Sequence, residues 1–410
     1  MSSDKGDPSS GLVLRAAEYL DALCLPYPDR HVGGPGNAAA TRMFAEAATR
    51  FEFEISETAF PCVVWEPGEA RIGADGNTWE VHAGPYSLPA DVVAPLFGAS
   101  SLEELEAAVP GSVLVLHGEL VREQLTPKNY PFYQWEAHTK IIDAVEKAAP
   151  AVVIAATGKN SDLVGSLYPF PLIEDADFEI PHGFMTDVDG AALLALSGNP
   201  FHVVIQSGRH ASAATQVIAR KGAPERRIVV SGHIDSRRGS PGAIDNATGV
   251  VIQLLVAELL ADCEGDLGIE LAPFNGEDDY AAPGEVVYLA ENGKCLKDEV
   301  VLNINIDGVG WRDHDAEVSL YECPDEIGAA ARAELEGRDL VVEGDAWPQS
   351  DHMIFVMRGI PAIALTTADA SGLRREIAHT EADLPAEVDP EVVVAAAHYV
   401  ADLVRKLACA

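Results

Sequence analysis

No stretch of this 410-residue chain approaches eighteen uninterrupted apolar residues, the length a membrane-spanning helix requires. The N-terminus, MSSDKGDPSS, is polar and lacks the charged-then-apolar pattern of a secretory signal, so a cytoplasmic protein is expected. Basic residues are scarce: 28 Lys and Arg against 65 Asp and Glu leave a net charge of -37 at pH 7. Nucleic acids and anionic membranes would be repelled by such a chain and are excluded as partners. A salt-rich cytoplasm selects acidic, lysine-poor surfaces of this kind, and an ordinary acidic soluble protein fits equally well. The six cysteines (Cys24, Cys62, Cys263, Cys295, Cys323 and Cys409) form no C-x-x-C pair and no disulfide-like cluster, so they are expected to be reduced. Internal repeats, heptads, low-complexity tracts and glycine-rich phosphate loops are missing. So is the G-x-S-x-G elbow, which disfavours a nucleophilic serine hydrolase.

What is present is a hydrophobic content of 48%, enough for one large core and a second domain. Two helical patterns, at 11–23 and 37–51, flank the loop PYPDRHVGGPG. From about Phe60 short β-like runs take over: CVVW, ARIG, WEVH, GSVLVLHG, APAVVIAATG and FHVVIQSG. After Ser212 apolar strands (TQVIA, RRIVVSG, LGIELAPF, VVLNINI, PAIALTT) alternate with helical stretches, notably 247–260 and 390–407. That alternation predicts an α/β fold with a mostly parallel central sheet flanked by helices and an inserted β-rich domain. The boundaries drawn are 1–60 for N-terminal helices of the catalytic domain, 61–211 for the insertion and 212–410 for the remainder.

In parallel sheets ligands collect beyond the carboxyl ends of strands, so the residues after each strand carry the functional argument. RRIVVSG runs into His233-Ile234-Asp235, and an isolated H-x-D is common in a chain with 12 histidines and 65 acids. Asp245, in GAIDNATG, reads alone as a helix cap. LGIELAPF leads to Glu277 and Asp278, VVLNINI to Asp307, and PAIALTT is followed by His379 in IAHTEADL. Each has an ordinary explanation as a turn acid or a loop histidine. Together they place two histidines and several carboxylates after successive strands of one sheet. Zinc takes imidazole nitrogen and carboxylate oxygen, and a two-ion site needs one carboxylate shared between the ions.

In this order the blocks GHIDS, GAIDNATG, NGED, NIDGVG, SDHMIF...GIPAIAL and AHTEADL resemble those of the di-zinc aminopeptidases, a family that includes glutamate carboxypeptidase and glutaminyl cyclase. The resemblance spans roughly 215–407 and implies a zinc-exopeptidase type of fold. It implies two Zn2+ per chain, or other divalent ions, with His233 and Asp307 on one metal, Asp278 and His379 on the other, and Asp245 bridging. It also implies Glu277 as the general base, Asp235 hydrogen-bonded to the imidazole of His233, and a cis peptide at Asp245-Asn246. Two positions depart from the family. Ala378 stands where some members have an oxyanion-stabilising tyrosine, and Asp278 is one methylene shorter than the usual second glutamate. Segments GSVLVLHGEL, APAVVIAATG and FEIPHGFMTDVDGAALLAL resemble a protease-associated domain.

The expected function is therefore that of a metal-dependent exopeptidase, an aminopeptidase acting on peptides. A single-zinc glutaminyl-cyclase-like acyltransferase and a carboxypeptidase or dipeptidase of the same fold are the alternatives. Counting bound metals separates the first. The related carboxypeptidases that carry a dimerisation insert of roughly a hundred residues before the last histidine are disfavoured, because the 102 positions from Glu277 to His379 are filled by core elements. A non-enzymatic binding protein is disfavoured by retention of all six positions, and a homodimer is left open. Ser350 and Asp351 are expected to be helix caps, His352 a core group or a neighbour of a ligand, and Asp279 a solvated or capping acid. Whether Arg237 or Arg238 reaches a substrate carboxylate is not decided by the sequence.

Overall fold

The structure is a computed structural model and describes residues 8–74, 76–159, 167–223, 225–348 and 350–408. The chain divides into two compact units, one formed by Met1–Cys62, Ala213–Leu373 and Ile377–Ala410, the other by Val63–Ser212 and Arg374–Glu376.

The first unit is built on an eight-stranded sheet. In chain order its strands are β1 (Glu54–Glu66), β2 (Gly208–Lys221), β3 (Arg227–His233), β4 (Gly268–Phe274), β5 (Val300–Ile306), β6 (Ala316–Tyr321), β7 (Val341–Glu343) and β8 (Ala362–Thr367). They lie in the order β1-β2-β4-β3-β5-β8-β6-β7. The four central strands β4, β3, β5 and β8 are mutually parallel. β2 joins antiparallel to β4, and β6 antiparallel to β8. Every residue of β3 and β4 is buried, which explains why both read as continuous apolar runs without alternation. The exceptions have partners: Glu270 in β4 accepts ion pairs from Arg220 of β2 at 2.5 Å and Arg227 of β3 at 2.9 Å, tying three strands together.

Helices α1 (Pro8–Cys24), α2 (Pro35–Thr49), α3 (Thr248–Leu259), α4 (Pro283–Asn292) and α5 (Pro390–Ala408) belong to this unit. The periodic segments at 11–23, 37–51, 247–260 and 390–407 are thus helices with ends shifted by at most three residues. In α3, ten of twelve residues are buried, so it is a core helix apolar on all sides. α3 and α5 pack into one hydrophobic cluster with β3, β4 and β5 through residues such as Val250, Leu254, Leu271, Ile304 and Val400.

The second unit has its own eight-stranded sheet and its own core, including Ile72, Leu96, Val115, Ile154 and Phe201. Strands 90–99, 113–116, 152–157 and 182–186 are parallel, with helices Leu102–Glu106 and Glu136–Ala148 in their connections. Among the described residues no helix is long and apolar enough to cross a membrane. Cys24, Cys62, Cys295 and Cys323 are free, but Cys263 is disulfide-bonded, which corrects the expectation of uniformly reduced thiols. Pairing depends on Cα separation in the fold, which scattered spacing in the sequence does not reveal. Cys409 lies outside the described residues.

Candidate metal centre

All six residues expected at the site lie at the carboxyl ends of the parallel strands or in the loops leaving them. His233 is the last residue of β3, and Glu277 and Asp278 follow β4 after the two-residue link Asn275-Gly276. Asp307 follows β5 directly. Asp245 sits in a π-type turn, Ala243–Ala247, that leads into α3. His379 follows β8 by way of the short helix Ala370–Glu376, with φ at +65°. A left-handed backbone at a non-glycine residue costs about 1–2 kcal/mol, and here it turns the chain at the imidazole.

Two groups of potential ligand atoms result, His233 with Asp245 and Asp307, and His379 with Asp245 and Asp278. Asp245 divides its carboxylate between them. Its Oδ1 is 3.1 Å from His233 Nε2 and its Oδ2 is 3.1 Å from His379 Nε2. Asp307 Oδ1 lies 3.5 Å from His233 Nε2, and Asp278 Oδ1 lies 3.1 Å from His379 Nε2. Two ligand atoms at about 2.0–2.1 Å from one tetrahedral zinc are about 3.3 Å apart, so these separations are those of ligands around an ion. Neither ring nitrogen of buried His233 makes a hydrogen bond of normal geometry, nor does Asp278 Oδ2. The residues present therefore fit a pair of divalent cations.

The electrostatics agree. Burial opposes charge on His233, yet Asp235, Asp245 and Asp307 together hold its imidazole well above the usual value. Burial likewise opposes charge on His379, and Asp278 and Asp245 push it up to about 10. Each imidazole so keeps a proton whose charge a cation would replace. Glu277 is half-buried, and its carboxyl is raised well above normal by burial and by Asp278, Asp307 and Asp245, with His233 pulling the other way. Nearby divalent charge reverses that balance and favours the carboxylate.

Supporting contacts place these groups. Asp235 Oδ1 is 3.6 Å from His233 Nδ1, beyond hydrogen-bond range, which corrects the expected bond to the imidazole. Its carboxylate instead accepts from the backbone N–H of Gly276 at 2.8 Å and of Asp278 at 3.2 Å, so it fixes the loop that carries Glu277. The peptide Asp245-Asn246 is cis, as the resemblance implied. Asn246 donates to Ile306 O at 2.8 Å and accepts from Gly249 N at 3.0 Å, linking the Asp245 turn to the strand that ends at Asp307. Asp383 accepts from the backbone N–H of Ile244 and Asp245 at 2.7 and 3.0 Å. Burial and the Asp245 carboxylate raise its own carboxyl to about 7.

Other assignments change. Asp279 is buried rather than solvated, and its Oδ1 accepts from Ala281 N in a tight turn. Asp351 occupies the position before the helix His352–Val356 but its side chain makes no capping bond. It is buried against Glu285, and burial together with the Glu285 and Glu277 carboxylates raises it well above normal. Glu285, on the first turn of α4, is pushed up to about 8 by burial and by Asp235. Ser350 Oγ accepts from Asn305 Nδ2 at 2.9 Å rather than capping a helix. His352 is a core group, bonded through Nε2 to Trp347 O at 3.0 Å and kept neutral by burial, which lowers it to about 4. Glu285 gave no sequence signal and Asp383 was not singled out within AHTEADL, because an isolated acid becomes noticeable only once burial is known.

The description of peptidase family M28 matches residues 216–404. Probable leucine aminopeptidase 2 of Aspergillus fumigatus is 21% identical over 383 residues, covering 87% of this chain and 72% of that protein. An aminopeptidase of Pseudomonas aeruginosa is 27% identical over 318 residues, which is 74% of this chain but only 58% of that protein's length. Among solved structures, an aminopeptidase from Aneurinibacillus sp. superposes with a TM-score of 0.75 at 21% identity, over 97% of this chain and 94% of that one. A zinc aminopeptidase from Bacillus subtilis superposes with a TM-score of 0.74 at 19% identity, over 97% and 95% respectively. These likenesses establish the fold, and the family match covers every residue of the centre. Residues 216–404 of this chain match peptidase family M28.

Proposed function

We propose that the chain is a zinc-dependent aminopeptidase in which His233 and Asp307 hold one ion, Asp278 and His379 a second, and Asp245 both. The observation that carries this reading is the division of the Asp245 carboxylate between two imidazoles, each 3.1 Å from a different oxygen. A single-zinc centre has no use for that division. The names of the Aspergillus, Pseudomonas, Aneurinibacillus and Bacillus proteins support the choice of an aminopeptidase. Zinc bound there would supply a water deprotonable near pH 7 and a Lewis acid at the scissile carbonyl, a role that the apolar side chain of Ala378 does not share.

The residues of the chain do the rest. Glu277 takes the proton from the attacking water and delivers it to the departing amine nitrogen, the two transfers a single carboxylate can perform in sequence. Asp235 holds that carboxylate in place through Gly276 and Asp278 N–H. Asp383 fixes the backbone of Asp245 and so the position of the shared carboxylate. Residues 61–211 are proposed to be a protease-associated-like domain, a reading supported by their separate sheet and core.

The test combines metal analysis with hydrolysis of an aminoacyl panel by wild type and Glu277→Gln. Two zinc equivalents and a loss in kcat of about a hundredfold or more, the usual scale for a removed general base, are expected with metal content unchanged. One equivalent, or a variant retaining near-full activity, contradicts the assignment.

A further inference from the structure

The loop that follows His233 and Asp235 carries two consecutive arginines in a chain with only 28 basic residues. Arg237 reaches into the cluster just described. Its Nε–H donates to Asp278 Oδ1 at 3.3 Å, and that same oxygen lies 3.1 Å from His379 Nε2. The contact is longer than the about 2.7–2.9 Å of a strong charge-assisted bond. The Arg237 side chain is also 25% exposed, against 5% for Asp278, so one part of it contacts the candidate ligand and another faces solvent.

The loop is anchored at several points. Buried Arg30 donates through Nε to Ile234 O and through Nη2 to Gly242 O, both at 2.9 Å, and its backbone N–H donates to Ser236 Oγ at 2.9 Å. Ser236 Oγ donates in turn to Ser240 O at 2.9 Å. Asp29 Oδ2 accepts from Gly239 N at 2.8 Å, while Asp29 Oδ1 lies 2.5 Å from His31 Nδ1. His31 Nε2 meets the guanidinium of Arg238 at 3.2 Å. Residues 234–242 are thus held from both ends, and a guanidinium carried on such a loop loses little freedom when it takes up a ligand.

A guanidinium at this position repels a substrate ammonium and attracts a substrate carboxylate. Its planar fork matches a carboxylate as an ammonium side chain does not. We propose that Arg237 is a specificity residue that receives a carboxylate carried by the substrate within one residue of the scissile bond. The preferred substrates are accordingly dipeptides, through the free α-carboxylate, or peptides with an acidic N-terminal residue. This inference rests on the peptidase reading of the same centre and narrows it.

The experiment compares matched pairs that differ in one carboxylate: leucylglycine with leucylglycinamide, and aspartate p-nitroanilide with asparagine p-nitroanilide. In wild type, kcat/KM for the carboxylate member of one pair should exceed its partner by about tenfold or more, the range for one charge-assisted bond. In Arg237→Ala that ratio should fall towards one, mainly through KM, and Arg237→Lys should restore part of it. The pair that responds identifies the source of the carboxylate. Zinc content of each variant is measured alongside, and calorimetry of leucylglycine and leucylglycinamide binding to Glu277→Gln, with and without Arg237→Ala, gives the same ratio in Kd without turnover.

If both members of each pair weaken equally in Arg237→Ala, the residue merely positions Asp278 and the inference is wrong. The same holds if no ratio exceeds about threefold in wild type, a difference too small for a charge-assisted bond. Absence of hydrolysis with the Kd ratio intact would overturn the peptidase reading and leave the carboxylate contact standing.

Discussion

Three consecutive acids close β4, and each has a different environment. Glu277 is half-buried among carboxylates, Asp278 is buried and faces His379 and Arg237, and Asp279 folds back onto Ala281 N–H. Like charges so close are stable only where protons or cations offset them, and in the metal-free protein the two imidazoles keep protons. The folded-state value of His379 is raised to about 10 from 6.5, so its stabilising pairing is complete below about pH 6.5 and is lost as pH rises through about 10. A divalent ion has to displace those protons. Zinc titration of the chelator-stripped protein at pH 7 should therefore release at least two protons, those of the imidazoles together with any held by Glu277, seen as a dependence of binding enthalpy on buffer ionisation heat, and apparent affinity should rise with pH. Binding without proton release would exclude imidazole ligation at His233 and His379. The six principal residues were legible because His233, Glu277, Asp278 and Asp307 stand at or within four residues of the end of a continuous apolar run, and the blocks that carry all six resemble those of a known family. Glu285, Asp351 and Asp383 were not, since among 65 acids only tertiary burial distinguishes a positioning carboxylate from a solvated one.

At the scale of elements, the junction of the Asp245 turn with α3 sets the geometry of the centre. A side chain at Gly249 would place its Cβ 2.4 Å from Asn246 Oδ1 and 2.7 Å from both Asn246 Nδ2 and Ile306 O, the donor and acceptor that join this turn to β5. Gly276 meets a comparable demand: with φ at +134° and Pro283 Cδ 2.4 Å from an added Cβ, it leaves room for the turn into Glu277. Gly249→Ala should destabilise by about 1–3 kcal/mol, the cost of overpacking, although alanine has the higher helix propensity. Urea unfolding with an unchanged m-value would measure it. A stabilised variant would mean that the turn and β5 are not rigidly joined. The parallel strands and buried helices were readable from their apolar runs. β6 and β7 were not, because AEVSLY and VVE are short, and β6 adds antiparallel in a sheet whose pattern suggests parallel neighbours. WEVH, one apparent strand, is divided between Asn77–Glu80 and His82–Ala83, which join different strands of the second sheet.

At the scale of the whole molecule, the dominant feature is a net charge of -37 with only 28 basic residues to offset 65 acids. Folding concentrates that charge in a smaller volume, so self-repulsion weighs more heavily on the native state than on the extended chain. Raising salt from about 0.1 to about 1 M shortens the screening length from about 10 to about 3 Å, which reduces repulsion between surface carboxylates while leaving close buried pairs such as Arg227 with Glu270 largely intact. The zinc-loaded protein should therefore gain several degrees in Tm over that range in potassium chloride. Most of the gain should come at the lower concentrations, where screening changes fastest. Sodium chloride should act similarly, because screening depends on ionic strength, whereas an effect confined to sulfate would point to surface exclusion of the salt. A Tm that is flat or falling in chloride would show that the acidic surface is already compensated at low salt, and the link between this composition and a salt-rich setting would fail.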